Sequence, residues 1–145
     1  MTTGLAVFDT TIQESNLWLK AVSKRLADCE RQDAYAGLRA VLHALRDRLP
    51  AQSAVNLAAQ LPMLLRGLYF ENWTLPQKPS NARSANQFAD AVGAYLPDRY
   101  RFNPMMTSEA VFAAASEFIT PGEAEKVRAQ LPEAIRDLWP HPIFV

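Results

Sequence analysis

The sequence predicts an all-α chain, and three observations carry that reading. Apolar residues recur at helical spacing, helix-capping signals are frequent, and strand signals are almost missing. Between Ala34 and Leu49, the apolar positions Tyr35, Leu38, Val41, Leu42, Leu45 and Leu49 form one stripe, with Arg39, His43 and Asp47 on the other side. Capping signals mark the starts. Thr11 with Glu14, and Ser84 with Gln87, offer capping boxes for two helices. Asp33 is placed to cap a helix, and its counterpart Asn103 precedes Pro104, a favoured first helical residue. Thr120-Pro121-Gly122-Glu123 combines a cap, a first-turn Pro and a capping-box Glu. No alternating Val/Ile/Thr run and no Asn-Gly hairpin turn occurs.

The chain also repeats itself. Sliding it by 70 positions aligns residues 15–69 with 85–139 without a gap, and 16 of those 55 pairs are identical. Ala59-Gln60-Leu61-Pro62 matches Ala129-Gln130-Leu131-Pro132, followed by Arg66 with Arg136 and Leu68 with Leu138. Such a period exceeds that of common solenoids, so it reads as one duplication. The expected architecture is a single all-α domain over residues 1–145. Two pseudo-symmetric helical repeats, 8–69 and 84–139, with three to four helices each, pack into one bundle around linker 70–83. A unit of this size has a marginal core alone, which favours packing the two apolar faces together.

The Gln-Leu-Pro segments leave two alternatives. A proline removes one helix hydrogen bond and biases the preceding residue toward extended backbone. Yet the apolar phase runs through it, as Ala54, Leu57, Leu61, Leu65 and Leu68 show. A kinked helix and two short helices both fit; a break or sharp kink is favoured. Gln60 and Gln130 are then expected to bond the backbone groups that proline frees.

Composition bounds the function. Fifteen basic and fifteen acidic residues cancel, so the surplus of positive charge that nucleic-acid grooves need is missing. No apolar run approaches the roughly 20 residues that span a bilayer. The opening MTTGLAVFDTTIQES lacks a basic n-region, so no secretory signal and a cytoplasmic location are expected. The single cysteine, Cys29, allows no internal disulfide or thiolate cluster. Its acidic neighbours Asp28 and Glu30 disfavour a thiolate. No phosphate loop, dinucleotide fingerprint, zinc-protease motif or nucleophile elbow occurs. No cofactor, no metal ligand and no catalytic residue is assigned.

Candidate partner- or ligand-binding residues are nonetheless identifiable. Arg66, Arg136, Gln60 and Gln130 recur and would suit an anion or acidic peptide. Their structural reading has each arginine meeting helix C-terminal carbonyls and stacking on Trp73 or Trp139. His43, with Asp47 one turn on, has the spacing of an oriented base. Its counterpart is Ala113, and His141 lies in a proline-flanked tail. Trp73 and Trp139 follow the two repeats, the latter with Phe144 and Val145 behind it. They either cap the core or form an open apolar patch.

The segments AVLHALRDRLP, QLPMLLRG and VRAQLPEAIRDLW resemble the bacterial family catalogued as domain of unknown function 2267, from Phe8 to Trp139. The resemblance implies a small helical cytoplasmic protein of prokaryotic origin and supplies no activity. Asn72 stands where similar sequences often have glycine. The resulting expectation is a non-catalytic protein–protein interaction or regulatory module, acting on a protein partner or by self-association as a homodimer. It touches neither nucleic acid nor membrane. The alternative is a small-ligand binder with its pocket between the repeats. An enzyme built on His43–Asp47 ranks third.

Overall fold

The computed structural model describes residues 2–75 and 79–140, which form eight helices and no strand. His141, Phe144 and Val145 lie outside the described residues. Four helices precede the linker: α1 (Ala6–Arg25), α2 (Arg31–Arg48), α3 (Ala51–Ala58) and α4 (Met63–Phe70). Four follow it: α5 (Ala85–Tyr95), α6 (Pro104–Ala115), α7 (Pro121–Ala129) and α8 (Glu133–Arg136).

Helix α2 is the axis of the fold and packs on α1, α3, α4, α5 and α6. Its apolar stripe is therefore only part of its buried surface: Ala40 through Arg46 are all buried. Helices covered on all sides tolerate little bulk, and Gly37 shows why. A Cβ there would stand 2.9 Å from Thr107 Cγ2 and 3.0 Å from Tyr100 Oη. The close approach of α6 to α2 depends on that missing methyl.

Most caps form where the sequence places them. Ser84 and Gln87 make a full capping box, Asn103 accepts from Met105 and Met106 N–H, and Thr120 accepts from Glu123 N–H. Two differ. Asp33 sits inside the first turn of α2, which starts at Arg31 without a side-chain cap. Helix α1 begins at Ala6, five residues before Thr11. The Thr11 hydroxyl instead accepts the N–H of Leu64, 2.8 Å away in α4. The cap is supplied across helices because Pro62, preceding α4, has no polar side chain to offer.

Pro62 breaks its helix rather than kinking it, with ψ of 151° between α3 and α4; Pro132 does the same at 148° between α7 and α8. Proline has no N–H for the carbonyl four residues back, here Ala58 or Arg128. The glutamine side chains do not fill that gap, contrary to expectation. Arg66 donates from Nε to Ala58 O (3.0 Å) and from a terminal nitrogen to Leu61 O (3.1 Å). Arg136 does likewise to Arg128 O (2.9 Å) and Leu131 O (3.0 Å). Arginine succeeds because its fork presents Nε and a terminal nitrogen in one plane, one donor for each carbonyl.

The core is contributed by all the long helices. Trp139 stacks on Phe112 with ring centroids 4.7 Å apart, and its indole N–H donates to Ser116 Oγ at 2.9 Å. Tyr69 donates its hydroxyl to Ala54 O at 2.8 Å. Where the first four helices meet the last four, Trp18, Leu42, Leu61, Phe112 and Trp139 surround a void of about 10 Å³. That is less than a ligand occupies and marginal even for one water.

Candidate functional site

Most of the residues singled out from sequence serve the scaffold. His43 is 1% exposed, and its Nε2 lies 2.8 Å from Leu68 O. A carbonyl only accepts, so Nε2 carries the proton and donates. Burial holds the imidazole below its ordinary 6.5; Arg46 and Arg39 push the same way, against the hydrogen bond to Leu68. The ring is thus neutral, with Nδ1 buried and unpartnered. Asp47 does not orient it. The Asp47 carboxylate accepts from Tyr95 Oη and from Arg46 Nε, and the Tyr95 ring stands edge-on to the imidazole. This overturns the His43–Asp47 pair as an acid–base couple, because α2 is buried on the side where solvent was expected.

Trp139 is 1% exposed and belongs to the core, not to an open patch. Trp73 is half-buried and stacks on Phe70 with centroids 5.6 Å apart. Its approach is set by Asn72, whose φ of 58° is the left-handed geometry that glycine and asparagine tolerate best. Arg66 and Arg136 have their guanidinium groups committed to main-chain carbonyls. Gln130 is exposed and Gln60 half-buried beside them. Cys29 is half-buried, and burial raises its thiol pKa, which keeps it protonated. Among the described residues no group of three His, Cys, Asp or Glu side chains is placed to hold a metal, and no helix is long and apolar enough to cross a membrane.

Sequence reasoning missed a wide concavity. A groove of about 790 Å³ runs between α1 and α4, closed at one end by the start of α2. Leu19, Leu65 and Leu68 are among its apolar lining, while Ile12, Leu64 and Tyr35 contribute at more exposed positions. Gly67 also lines it. A Cβ at Gly67 would meet nothing within 4 Å, so neither packing nor a positive φ requires glycine there. Glycine within a helix nonetheless costs about 0.5–1 kcal/mol relative to alanine. Its effect is to leave the α4 backbone bare toward the groove.

The apolar surface continues beyond the groove. Leu5 is 53% exposed and Phe8 47% exposed, and both lie on the face of α1 that carries Ile12 and Leu19. From Leu5 to Leu19 this strip is about 21 Å long at 1.5 Å per residue. Polar groups share the groove: Asp9, Gln13, Ser15, Asn16, Arg31 and Glu71. Ser15 Oγ is buried without a partner. The Asp9 carboxylate accepts only the N–H of Thr3, at 2.7 Å, and Arg31 donates to Asn16 Oδ1, at 2.7 Å. Among the described residues, neither has an opposite charge within ion-pair distance. The signal was present in the sequence as Leu5, Phe8, Ile12 and Leu19, spaced at three, four and seven residues. It was obscured by placing the helix start at Thr11.

A family model described as Uncharacterized conserved protein (DUF2267) matches residues 15–138. No curated protein matches the chain.

Proposed function

The chain belongs to this family of uncharacterized conserved proteins, and we propose that it is a non-catalytic protein-interaction module whose docking face is the α1–α4 groove. The observation that carries the reading is the apolar strip from Leu5 to Leu64, which leaves large side chains in water although the same helices bury Trp18 and Tyr69. Exposed apolar surface of that extent marks a docking face more often than a bare exterior. Its length suits three to four turns of an amphipathic helix lying in a groove. A small molecule would find polar groups here, Asp9, Ser15 and Arg31 among them, but the apolar strip of about 21 Å runs past the groove to Leu5 and Phe8, further than a small ligand reaches. Between the two halves the enclosed void is about 10 Å³, and an open concavity of about 300 Å³ at Tyr35, Arg39 and Tyr95 is smaller than the groove, so a pocket there is the weaker reading. The repeated scaffold, with an approximate twofold relation between residues 8–69 and 84–139, serves in this reading to hold α1 and α4 apart.

Photo-crosslinking residues introduced at Ile12 and Leu64 of the full chain in its native cell test this, with one at the exposed Glu133 as control. Protein adducts are expected at both groove positions and not at Glu133. Equal yields at all three positions, or none at the groove, would overturn the reading.

A further inference from the structure

The groove carries an acid and a base, Asp9 and Arg31, that lack counter-charges among the described residues. Asp9 lies three residues before Ile12, and Asn16, which holds Arg31, lies three residues after Gln13. A twofold axis passing between Ile12 and Gln13 therefore sets Asp9 of one copy opposite the Asn16–Arg31 end of another. We propose that the occupant of the groove is a second copy of this chain, with its α1 antiparallel to the first. This inference rests on the docking reading above and names its partner.

Three further features agree with it. The same operation carries Leu5 and Phe8 of one copy over the level of Leu17–Lys20 in the other, where Leu19 and the bare backbone at Gly67 leave room. Antiparallel pairing about that axis sets Asp9 of each copy at the level of Asn16 in the other, where Arg31 is held, and opposes the two helix dipoles. The whole chain has a formal net charge of zero, so no long-range repulsion resists self-association. Such an interface is isologous, with each contact formed twice: Asp9 to Arg31 of the partner, and the reverse.

Sedimentation equilibrium of the full chain tests the pairing. The wild type is expected at twice its 16.2 kDa mass. Asp9→Arg and Arg31→Glu should each weaken the dimer by about tenfold or more, since each single change breaks two ion pairs. The double variant, with the pair rebuilt in reverse, should recover most of that loss. Ile12→Glu, at the axis, should give monomer without depending on the ion pair. Helix content and unfolding midpoint, read on every variant, separate dissociation from misfolding. A dimer indifferent to Asp9→Arg, Arg31→Glu and Ile12→Glu would place the interface elsewhere and overturn the inference. So would single variants that weaken it without recovery in the double. A wild-type monomer whose Ile12 position crosslinks to another protein would remove the second copy while keeping the docking reading. A monomer without groove adducts would remove both.

Discussion

The first four helices and the last four differ most where they begin. Helix α1 has 20 residues and α5 has 11. The additional turns of α1 carry Phe8, Asp9 and Ile12, with Leu5 at the N-cap, and they supply the Thr11 hydroxyl that caps α4. On the other side of the linker, the position equivalent to Thr11 is Asn81, which precedes α5, and α8 has only four residues. What the halves share is equally plain: a proline break followed four residues later by an arginine bonded to two carbonyls. The shared clamps hold the chain together, while the unshared first turns of α1 extend the groove, whose wall also uses residues that recur, Asn16, Arg31 and Leu68 among them.

The sharpest way to break this comparison is at the buried aromatics that close each half. Tyr69→Ala and Trp139→Ala should each lower unfolding free energy by roughly 3–5 kcal/mol, since each empties a fully buried site and orphans a polar atom or its partner. Urea titration followed by circular dichroism reads the effect. A loss below about 1 kcal/mol at Trp139 would mean that the ring is not core.

The arginine clamps give the next largest effect. Arg66→Ala and Arg136→Ala remove the side-chain donor from Leu61 O or Leu131 O and one of two donors from Ala58 O or Arg128 O, which keep the N–H of Leu61 or Leu131, at a cost of about 1–3 kcal/mol each. Arg66 is the more exposed of the two, so its loss should be the smaller, because water replaces the guanidinium. In a Pro62→Ala background, the Arg66→Ala loss should shrink, because an N–H is again available for Ala58 O. Strict additivity would contradict the assigned role of the clamp.

The smallest effect distinguishes His43 from its counterpart Ala113. The folded imidazole titrates below 6.5, so the unfolded chain binds more protons as pH falls beneath that value. Stability is therefore full above 6.5 and declines below it, with a slope of at most about 1.4 kcal/mol per pH unit, until the folded pKa is reached. His43→Gln should flatten the dependence between pH 6.5 and the folded pKa when unfolding midpoints are compared. A decline that persists in the variant would have another origin.

Much of the fold was legible in the sequence because helical period, caps and proline are local signals. Ser84, Asn103 and Thr120 cap as their neighbours require. The errors on α2 share one cause. The sides of α2 were assigned from polarity, but five helices pack on α2, so His43 and Arg46 are buried with main-chain partners. Arg46 donates to the Tyr69 and Glu71 carbonyls at 2.7 and 2.8 Å, a role that no spacing along α2 reveals. The groove was hidden for the same reason. Its two walls, α1 and α4, are about 50 residues apart in sequence, and only tertiary packing brings Thr11 to Leu64.

Gly67 concentrates the claim that the groove is a docking face, because the fold has no use for a glycine there. Gly67→Leu fills the groove and removes a poor helix former, so the two effects should part. Unfolding stability is expected to hold or rise by about 0.5–1 kcal/mol. The decisive measurement is the yield of protein adducts from a photo-crosslinker at Ile12 in that variant. The account expects the yield to collapse while the fold stays intact; an undiminished yield in a folded Gly67→Leu chain would contradict it.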